Sequence, residues 1–432
     1  MLLIYTHKIT SRFRYITKHL FTNILGIEVS FTTKVEDFIK HAGPKITYTK
    51  QPLQNEFFLR SNDLLFEQGI NDLQIHVSDW EGVPCFFAAG ERSNLPFDIF
   101  AASFYLLSRY EEYLPHVKDI HGRFPPKDSL AYQNNFLQIP VVDIWALRLL
   151  EGLKEKFPEL EYKPRSYRFN PIIDVTTSHC FLHRGLVRGI SGFLLDLVSL
   201  RLRRVVDRIS VLMKLKRDPY DNFFELIELH KQYNAKGRFF FQFAEYSTYD
   251  KNVSPSNNKF KYLIKSVADY EVVSLCCSYS SFNNKTLLME EKKNLSNVIH
   301  RPINSSRMRF NRVDIPETYR NLVDAGFTND YTMGYTHESG FRAGSCTPFY
   351  FYDILLEVQQ PIEIHPFALH DYSLLTTNSK EEALKVVASL ALEVKKVNGT
   401  FVTIFSNELL GGEAKLNWKE LYRNILKKVY VQ

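Results

Sequence analysis

The carboxyl-terminal part of the chain repeats one pattern, in which a short apolar strand is followed by a helix. Seven such units predict a parallel sheet that is closed, or nearly closed, into a barrel. In barrels of this kind the chemistry lies at the carboxyl-terminal ends of the strands. The predicted strands are 172–176, 238–243, 272–275, 303–310, 330–335, 362–365 and 400–405, and the predicted helices are 192–214, 220–233, 259–268, 285–297, 316–325, 380–397 and 418–427.

An N-terminal α/β domain of residues 1–165 is predicted to precede the barrel of residues 166–432. A chain of 432 residues is long enough for two domains, and the polar, proline-containing run 159–170 marks the boundary. Thr10 or Ser11 is expected to cap the first helix. The predicted strands of this domain are 2–6, 27–32, 46–49, 57–59 and 74–77, and its predicted helices are 11–25, 98–114 and 141–157.

Four sequence strings carry a family resemblance. Residues 340–353 read G-F-R-A-G-S-C-T-P-F-Y-F-Y-D, and residues 96–114 read P-F-D-I-F-A-A-S-F-Y-L-L-S-R-Y-E-E-Y-L. Two shorter strings are H-G-R-F at 121–124 and P-V-V-D at 140–143. Over essentially its full length the chain resembles a two-domain branch of the polysaccharide deacetylase superfamily, which belongs to bacterial surface-glycan gene sets. The resemblance implies a distorted (β/α)7 barrel behind an N-terminal α/β domain of unknown role.

The resemblance also implies a chemistry. Enzymes of this superfamily hydrolyse acetamido groups on glycans with a divalent metal held by one Asp and two His. The metal activates a water, a carboxylate acts as general base and a His acts as acid. Asp174 stands at the position of the base, whereas Thr176, Cys276 and Arg309 stand at the three metal positions and Ser406 stands at that of the acid.

These replacements predict a catalytically degenerate site. Threonine is a poor ligand, and a guanidinium brings a permanent cation and does not coordinate metal. The sequence therefore predicts an Asp174–Arg309 ion pair, no cofactor and no metal-dependent hydrolysis.

Other positions keep the family pattern. Arg342, which the resemblance makes the residue that fixes the base, is retained, as are His365 and Asp371. Together with Tyr279 they are expected to line the former pocket and to bind a glycan or a lipid-linked sugar.

An active metal-dependent de-N-acetylase with a rebuilt site is the alternative. Thiolates bind Zn²⁺ well, so Cys276 could join Asp174 and one of His179 and His183 as ligands. Against this, free cysteines such as Cys276 and Cys277 usually lie in buried strands as small apolar residues.

Residues 184–217 carry nine basic residues against two acidic ones, although the net charge of the whole chain is only +6. The predicted helix 192–214 in this segment has one broad apolar stripe. Two interpretations remain open: an amphipathic barrel helix with a solvated basic face, or a helix that docks onto an anionic membrane or a lipid-phosphate-linked glycan. No nucleic-acid-binding module is present, and the modest charge does not favour such a partner.

The cysteine pattern favours a reducing compartment. The five cysteines show no C-x-x-C spacing, the first apolar run is a predicted strand and not a signal peptide, and no apolar stretch reaches 18 residues. We therefore expect a cytoplasmic protein, peripheral at the inner membrane if the basic helix docks there. The sequence favours a carbohydrate- or partner-binding role without hydrolysis; a scaffold that recruits a partner enzyme is a third hypothesis.

Overall fold

The computed structural model describes residues 1–412 and 417–430 and has a mixed α/β fold with one large sheet. Its strands are β1 (Leu2–Thr6), β2 (Val29–Thr32), β3 (Lys45–Thr49), β4 (Phe57–Arg60), β5 (Val77–Trp80), β6 (Val83–Phe86), β7 (Arg168–Val175), β8 (Arg238–Gln242), β9 (Val272–Cys277), β10 (Ser305–Met308), β11 (Asn329–Asp330), β12 (Phe349–Asp353), β13 (Val358–Ile364), β14 (Leu369–His370) and β15 (Thr400–Ser406). Its α-helices are α1 (Ser11–Lys18), α2 (Val35–Lys40), α3 (Ile99–Leu107), α4 (Leu130–Gln133), α5 (Val141–Lys156), α6 (Leu186–Val198), α7 (Leu202–Leu212), α8 (Phe223–Gln232), α9 (Asn258–Ala268), α10 (Lys285–Ile299), α11 (Glu317–Asp324), α12 (Lys380–Lys396), α13 (Asn407–Gly411) and α14 (Trp418–Tyr430).

The N-terminal sheet has four parallel strands in the order β2-β1-β3-β4. Thr10 caps α1 by accepting a hydrogen bond from the Phe13 N–H at 3.1 Å, as predicted. Asp98 caps α3, which is shorter than the predicted helix 98–114. The helix ends early because Arg109 has a left-handed backbone with φ of 54°.

The large sheet has the order β12-β13-β11-β10-β9-β8-β7-β15-β14, and only β12 and β13 pair antiparallel among its described strands. The segment between β13 and β14 makes hydrogen bonds to both sides of this sheet. The Phe367 N–H donates to the Met333 carbonyl just beyond β11, and the Ala368 N–H donates to the Val402 carbonyl on β15, both at 3.0 Å. This segment therefore bridges the two sides of the sheet.

A separate apolar cluster fills the space that this bridge encloses. Because parallel neighbours in register point to the same face, side chains from several strands and from the bridge meet there. The cluster consists of Ile172, Phe240, Cys276, Tyr331, Phe367, Val402 and Ile404.

The main hydrophobic core runs through both parts of the chain, from Leu2 to Val429. Polar contacts also join the parts: the buried Arg12 on α1 binds Glu357 with an N–O distance of 2.5 Å, and the Tyr15 hydroxyl donates to the Tyr350 carbonyl at 2.8 Å. The domain boundary at 159–170 therefore remains a prediction.

Several sequence predictions need correction. The strand predicted at 330–335 is only the two-residue β11, and the helix predicted at 11–25 is α1 followed by a π-helix at His19–Ile24. The strand predicted at 74–77 is β5, which lies further on and forms a hairpin with β6. The predicted single helix 192–214 is two helices, α6 and α7. The chain breaks between them because Leu200 has a positive φ of 53°.

Candidate functional site

The carboxyl-terminal ends of β7, β9, β10 and β15 bring together most of the predicted site residues. At the centre, Asp174 and Arg307 form an ion pair. Arg307 Nε donates to Asp174 Oδ2 at 3.2 Å, and Arg307 Nη1 donates to the Tyr331 carbonyl at 3.2 Å. Both side chains are buried, and the guanidinium lies 5.4 Å from the Phe367 ring centroid. The carboxylate at the presumed base position is therefore neutralised within the protein.

Arg309 is not the partner of Asp174, so the predicted Asp174–Arg309 pair is wrong. Strand β10 ends at Met308, and the chain then turns, with positive φ angles at Phe310 and Asn311. The Arg309 guanidinium packs over the Phe310 ring, 4.5 Å from its centroid.

Asp174 Oδ1, an acceptor, and Arg309 Nε, a donor, are buried at this edge and have no hydrogen-bond partner among the described residues. Both side chains act electrostatically on Cys276 and on Tyr372, so they lie in the same neighbourhood. A ligand hydroxyl, which both donates and accepts, could satisfy such atoms.

The Ser406 position belongs to a small buried network. Ser406 donates to Asp371 Oδ2 through its hydroxyl at 2.7 Å and through its backbone N–H at 2.6 Å. His370 Nδ1 lies 2.7 Å from Asp371 Oδ1. His370, which is not among the predicted site residues, therefore places an imidazole beside Asp371 at this edge.

The residues at the implied metal positions do not fit a divalent cation. Thr176 donates its hydroxyl to Glu408 Oε1 at 2.7 Å. Burial raises the pKa of the Cys276 thiol well above its usual value, and the Asp174 carboxylate raises it further, so the ligating thiolate is disfavoured. Within residues 1–412 and 417–430, no three His, Cys, Asp or Glu side chains are grouped so that they could hold a metal ion.

His179 and His183 contact each other, with ring centroids 4.9 Å apart. His179 Nδ1 lies 3.1 Å from the Ser178 hydroxyl, and burial lowers the pKa of His179 to about 4. Neither histidine is hydrogen-bonded to Asp174 or to Cys276 in the structure.

An aromatic cluster, consisting of His121, Tyr249, Tyr279 and Phe310, flanks the ion pair at the ends of β9 and β10. The His121 and Phe310 rings stack at 4.7 Å, and those of Tyr249 and Tyr279 lie 4.2 Å apart. The Arg312 guanidinium lies 4.1 Å from the Tyr279 centroid and donates to the His121 carbonyl. Tyr249 is 41% exposed, so the cluster presents an aromatic face to solvent.

Arg342 lies in a different network. Its guanidinium binds Glu112 through two hydrogen bonds, from Nε at 2.9 Å and from Nη2 at 2.6 Å. Arg109 binds the same carboxylate at 2.8 Å and also donates to the Arg342 carbonyl. Arg342 thus holds the N-terminal part of the chain to the loop after β11, and it does not contact Asp174.

His365 also lies apart from Asp174. Its Nε2 is 2.9 Å from Asn329 Oδ1 and 3.2 Å from Glu363 Oε2, and its ring stacks on Tyr331 at 4.4 Å. Because Asn329 is the first residue of β11, His365 sits by the amino-terminal end of that strand.

A cavity of about 780 Å³ adjoins the site, between α7 and the end of β15. One wall holds Tyr220, Tyr372 and Glu408, and the opposite wall is rich in basic residues, including Arg201 and Arg204. Burial raises the pKa of Tyr372 to about 12, and the nearby carboxylates raise it further. The cavity therefore combines aromatic faces, a neutral phenol and cationic groups.

Comparison with known proteins gives one family match, to a family of unknown function (DUF7033), over residues 2–158. A search of curated protein sequences found no match. Similar solved structures include polysaccharide deacetylases and candidates for that activity. A candidate deacetylase from Mycobacterium smegmatis is 12% identical to this chain. The match covers 63% of this chain and 90% of the Mycobacterium chain, with a TM-score of 0.40.

Two further structures extend this similarity. The polysaccharide deacetylase Bc1974 from Bacillus cereus is 13% identical, covers 48% of this chain and 82% of its own, and has a TM-score of 0.28. A candidate deacetylase involved in O-antigen biosynthesis in Bordetella bronchiseptica is 9% identical, covers 61% of this chain and 85% of its own, and has a TM-score of 0.30. At these values the activity of the similar proteins does not transfer to this chain.

Proposed function

We propose that the protein binds a carbohydrate at the carboxyl-terminal edge of its large sheet and does not hydrolyse acetamido groups by a metal-dependent mechanism. The proposal treats the large sheet and its bridge as a degenerate (β/α)7 barrel of the polysaccharide deacetylase type. The observation that carries it is the Arg307–Asp174 ion pair. One oxygen of the presumed base accepts a hydrogen bond from a guanidinium, and the implied metal positions hold a threonine, an arginine and a thiol whose pKa is raised by burial.

The expected ligand is an acetamido-bearing glycan, free or lipid-linked. Aromatic rings pack on the apolar faces of sugar rings, and the exposed Tyr249, held against Tyr279 in the aromatic cluster, offers such a surface. Asp174 Oδ1 and Arg309 Nε are available to a sugar hydroxyl because neither has a partner among the described residues. A cytoplasmic location, with the glycan supplied by a bacterial surface-glycan assembly reaction, is part of the same proposal.

The test is calorimetric titration of the full chain with short oligosaccharides of acetamido sugars in excess chelator. We expect binding that chelator does not reduce, and about tenfold weaker binding for Tyr249→Ala. Tyr262→Ala is the matched control, because Tyr262 is 71% exposed on α9 and is not part of the aromatic cluster. Acetate release by the pure protein that disappears in Asp174→Asn would sink the proposal.

An active deacetylase with a rebuilt metal site is the alternative function. It requires a thiolate at Cys276, which burial and the Asp174 charge disfavour. Metal content and activity that both disappear in Cys276→Ala would establish it. An absence of binding in the titration would overturn the carbohydrate-binding proposal.

A further inference from the structure

Helices α6 and α7, their link at 199–201 and residues 213–217 form a helical hairpin with an unusually apolar surface. Among the described residues, 14 large apolar side chains between Leu186 and Leu215 are exposed, and Leu186, Val198 and Leu200 are each at least 80% exposed. Contiguous exposed apolar surface of this extent on a protein marks a binding face. The set is Leu186, Val187, Ile190, Leu194, Leu195, Leu197, Val198, Leu200, Leu202, Val206, Ile209, Leu212, Met213 and Leu215.

The hairpin buries a charged pair together with Val205 and Val211 of α7, whereas most of its other large apolar side chains face outward. Asp196 on α6 and Arg208 on α7 form a buried ion pair with an N–O distance of 2.5 Å. The Arg208 guanidinium lies over the Phe181 ring, 4.9 Å from its centroid, and a side chain at Gly192 would meet it at 3.0 Å. A helix that packs on a protein core shows the reverse arrangement. The outward apolar face is therefore left for something outside the described chain.

The positive charge around this face favours an anionic binding partner. Residues 184–217 hold nine basic residues and two acidic ones, and the acidic ones are engaged, Asp196 by Arg208 and Asp207 by Lys216. Arg217 is 86% exposed. A second copy of the chain would bring the same excess of positive charge against this one, whereas anionic lipid headgroups complement it.

We propose that the hairpin docks onto an anionic membrane, with its apolar face at the boundary between headgroups and acyl chains and its basic residues among the lipid phosphates. Interfacial helices bind through this combination of buried apolar area and electrostatic attraction. No helix among the described residues is long and apolar enough to cross a membrane.

The hairpin is attached next to the candidate site. Arg188 on α6 donates to the Asn252 carbonyl at 3.1 Å and stacks on Tyr246 at 4.6 Å, within the loop that carries Tyr249 of the aromatic cluster. The 780 Å³ cavity opens between the hairpin and Tyr372. Docking would bring the site beside the headgroups, where the sugar of a lipid-linked glycan lies; this last step rests on the proposed function, whereas the docking does not.

The test is flotation of the full chain with vesicles of phosphatidylglycerol and phosphatidylcholine, compared with vesicles of phosphatidylcholine alone. We expect binding to the anionic vesicles that weakens with rising salt. Leu195→Ser/Val198→Ser should abolish it, and Arg201→Gln/Arg217→Gln should weaken it by roughly tenfold or more. Leu355→Ser/Leu356→Ser is the matched control, because these leucines are 53% and 58% exposed far along the chain, beyond β12, and should leave binding unchanged.

Circular dichroism checks that each variant is folded. The absence of flotation with anionic vesicles would overturn the proposal, and so would equal flotation with both vesicle types at all salt concentrations. A dimer in sedimentation that Leu195→Ser/Val198→Ser dissociates would also overturn it, because a second copy would then cover the face. Sugar binding in calorimetry is independent of these results, so failure of docking and failure of the proposed function are distinguishable.

Discussion

Arg342 and Glu112, which lie 230 residues apart in the sequence, form a buried ion pair with two hydrogen bonds. The pair joins the sequence segments 96–114 and 340–353. The P-V-V-D string is anchored in the same way. Asp143, its last residue, accepts hydrogen bonds from the Ser345 hydroxyl at 2.8 Å and the Cys346 N–H at 3.0 Å. These three segments are therefore held together by buried polar contacts. Arg342 stabilises the fold around the candidate site without contacting Asp174.

Loss of the Arg342–Glu112 pair should strongly destabilise the protein. Arg342→Met leaves the buried Glu111 and Glu112 with Arg109 as their one cation in this network, at a cost of about 3–5 kcal/mol in the free energy of unfolding. Urea unfolding checks the value. Lys285→Met, which removes a half-exposed pair with Asp324, is the control and should cost less than about 1 kcal/mol. Equal costs would contradict the role of the buried pair.

Glu112 also predicts acid sensitivity. Burial acts to raise the pKa of Glu112, but the charges of Arg342 and Arg109 outweigh it and lower the pKa from 4.5 to about 2. The stability from this group is complete above pH 4.5 and is lost as the pH falls towards 2. The loss is roughly 3 kcal/mol. The slope of unfolding free energy against pH in this window should be smaller in Glu112→Gln; an unchanged slope would count against the assignment.

Glu291 predicts the opposite dependence. Burial raises its pKa from 4.5 to about 7, and its Oε2 accepts the Ser278 N–H at 3.1 Å next to the aromatic cluster. Glu291 therefore stays protonated to a higher pH in the folded state than in the unfolded state. Its contribution to the free energy of unfolding is complete below pH 4.5 and is lost as the pH rises through 7. Glu291→Gln should remove this loss and be more stable than the wild type at pH 8, by up to ~3 kcal/mol. Stability curves of wild type and variant that run parallel from pH 4 to 8 would refute the prediction.

The central ion pair is best tested by a double-mutant cycle. Arg307→Met leaves the Asp174 carboxylate buried without its cation and should cost about 3 kcal/mol in unfolding free energy. Adding Asp174→Asn should recover a large part of this loss, because the uncompensated charge is gone. Arg309→Met is the matched control: it removes a guanidinium of the same segment that packs on Phe310 and is not bonded to Asp174, so its coupling to Asp174 should be clearly smaller than that of Arg307. A coupling of Asp174 to Arg309 that equals its coupling to Arg307 would contradict the structure.

The sequence predicts the elements well where they depend on local pattern. Strand β1 has the predicted bounds, and α5, α9 and α12 differ from prediction by one residue at one end. The partner of Asp174 is Arg307 and not the predicted Arg309, and this difference has a structural cause. Alternation places both arginines on one face of β10, but the sequence does not show that the strand ends at Met308, which decides which of them reaches Asp174.

Long-range partners are not contained in a single sequence. Glu112 could be recognised as a charged residue in an apolar helix pattern, but nothing local indicates that it lies against Arg342. The amphipathic stripe of the hairpin was predicted, but not its outward direction, because periodicity defines a face and not its neighbour. His370 lay next to the predicted Asp371 and could have been found by the same argument.

The most direct test of the central claim is metal content together with acetate release. Protein purified without chelator is incubated with Zn²⁺, Co²⁺ and Ni²⁺ in turn and desalted. One portion is used to measure metal content by mass spectrometry, and a second portion is incubated with an acetamido-sugar oligomer to measure acetate release. Because Asp174 is ion-paired with Arg307 and burial raises the pKa of the Cys276 thiol, we predict far less than one metal per chain and no acetate release. Near-stoichiometric metal, with acetate release that Asp174→Asn and Cys276→Ala each abolish, would contradict the account.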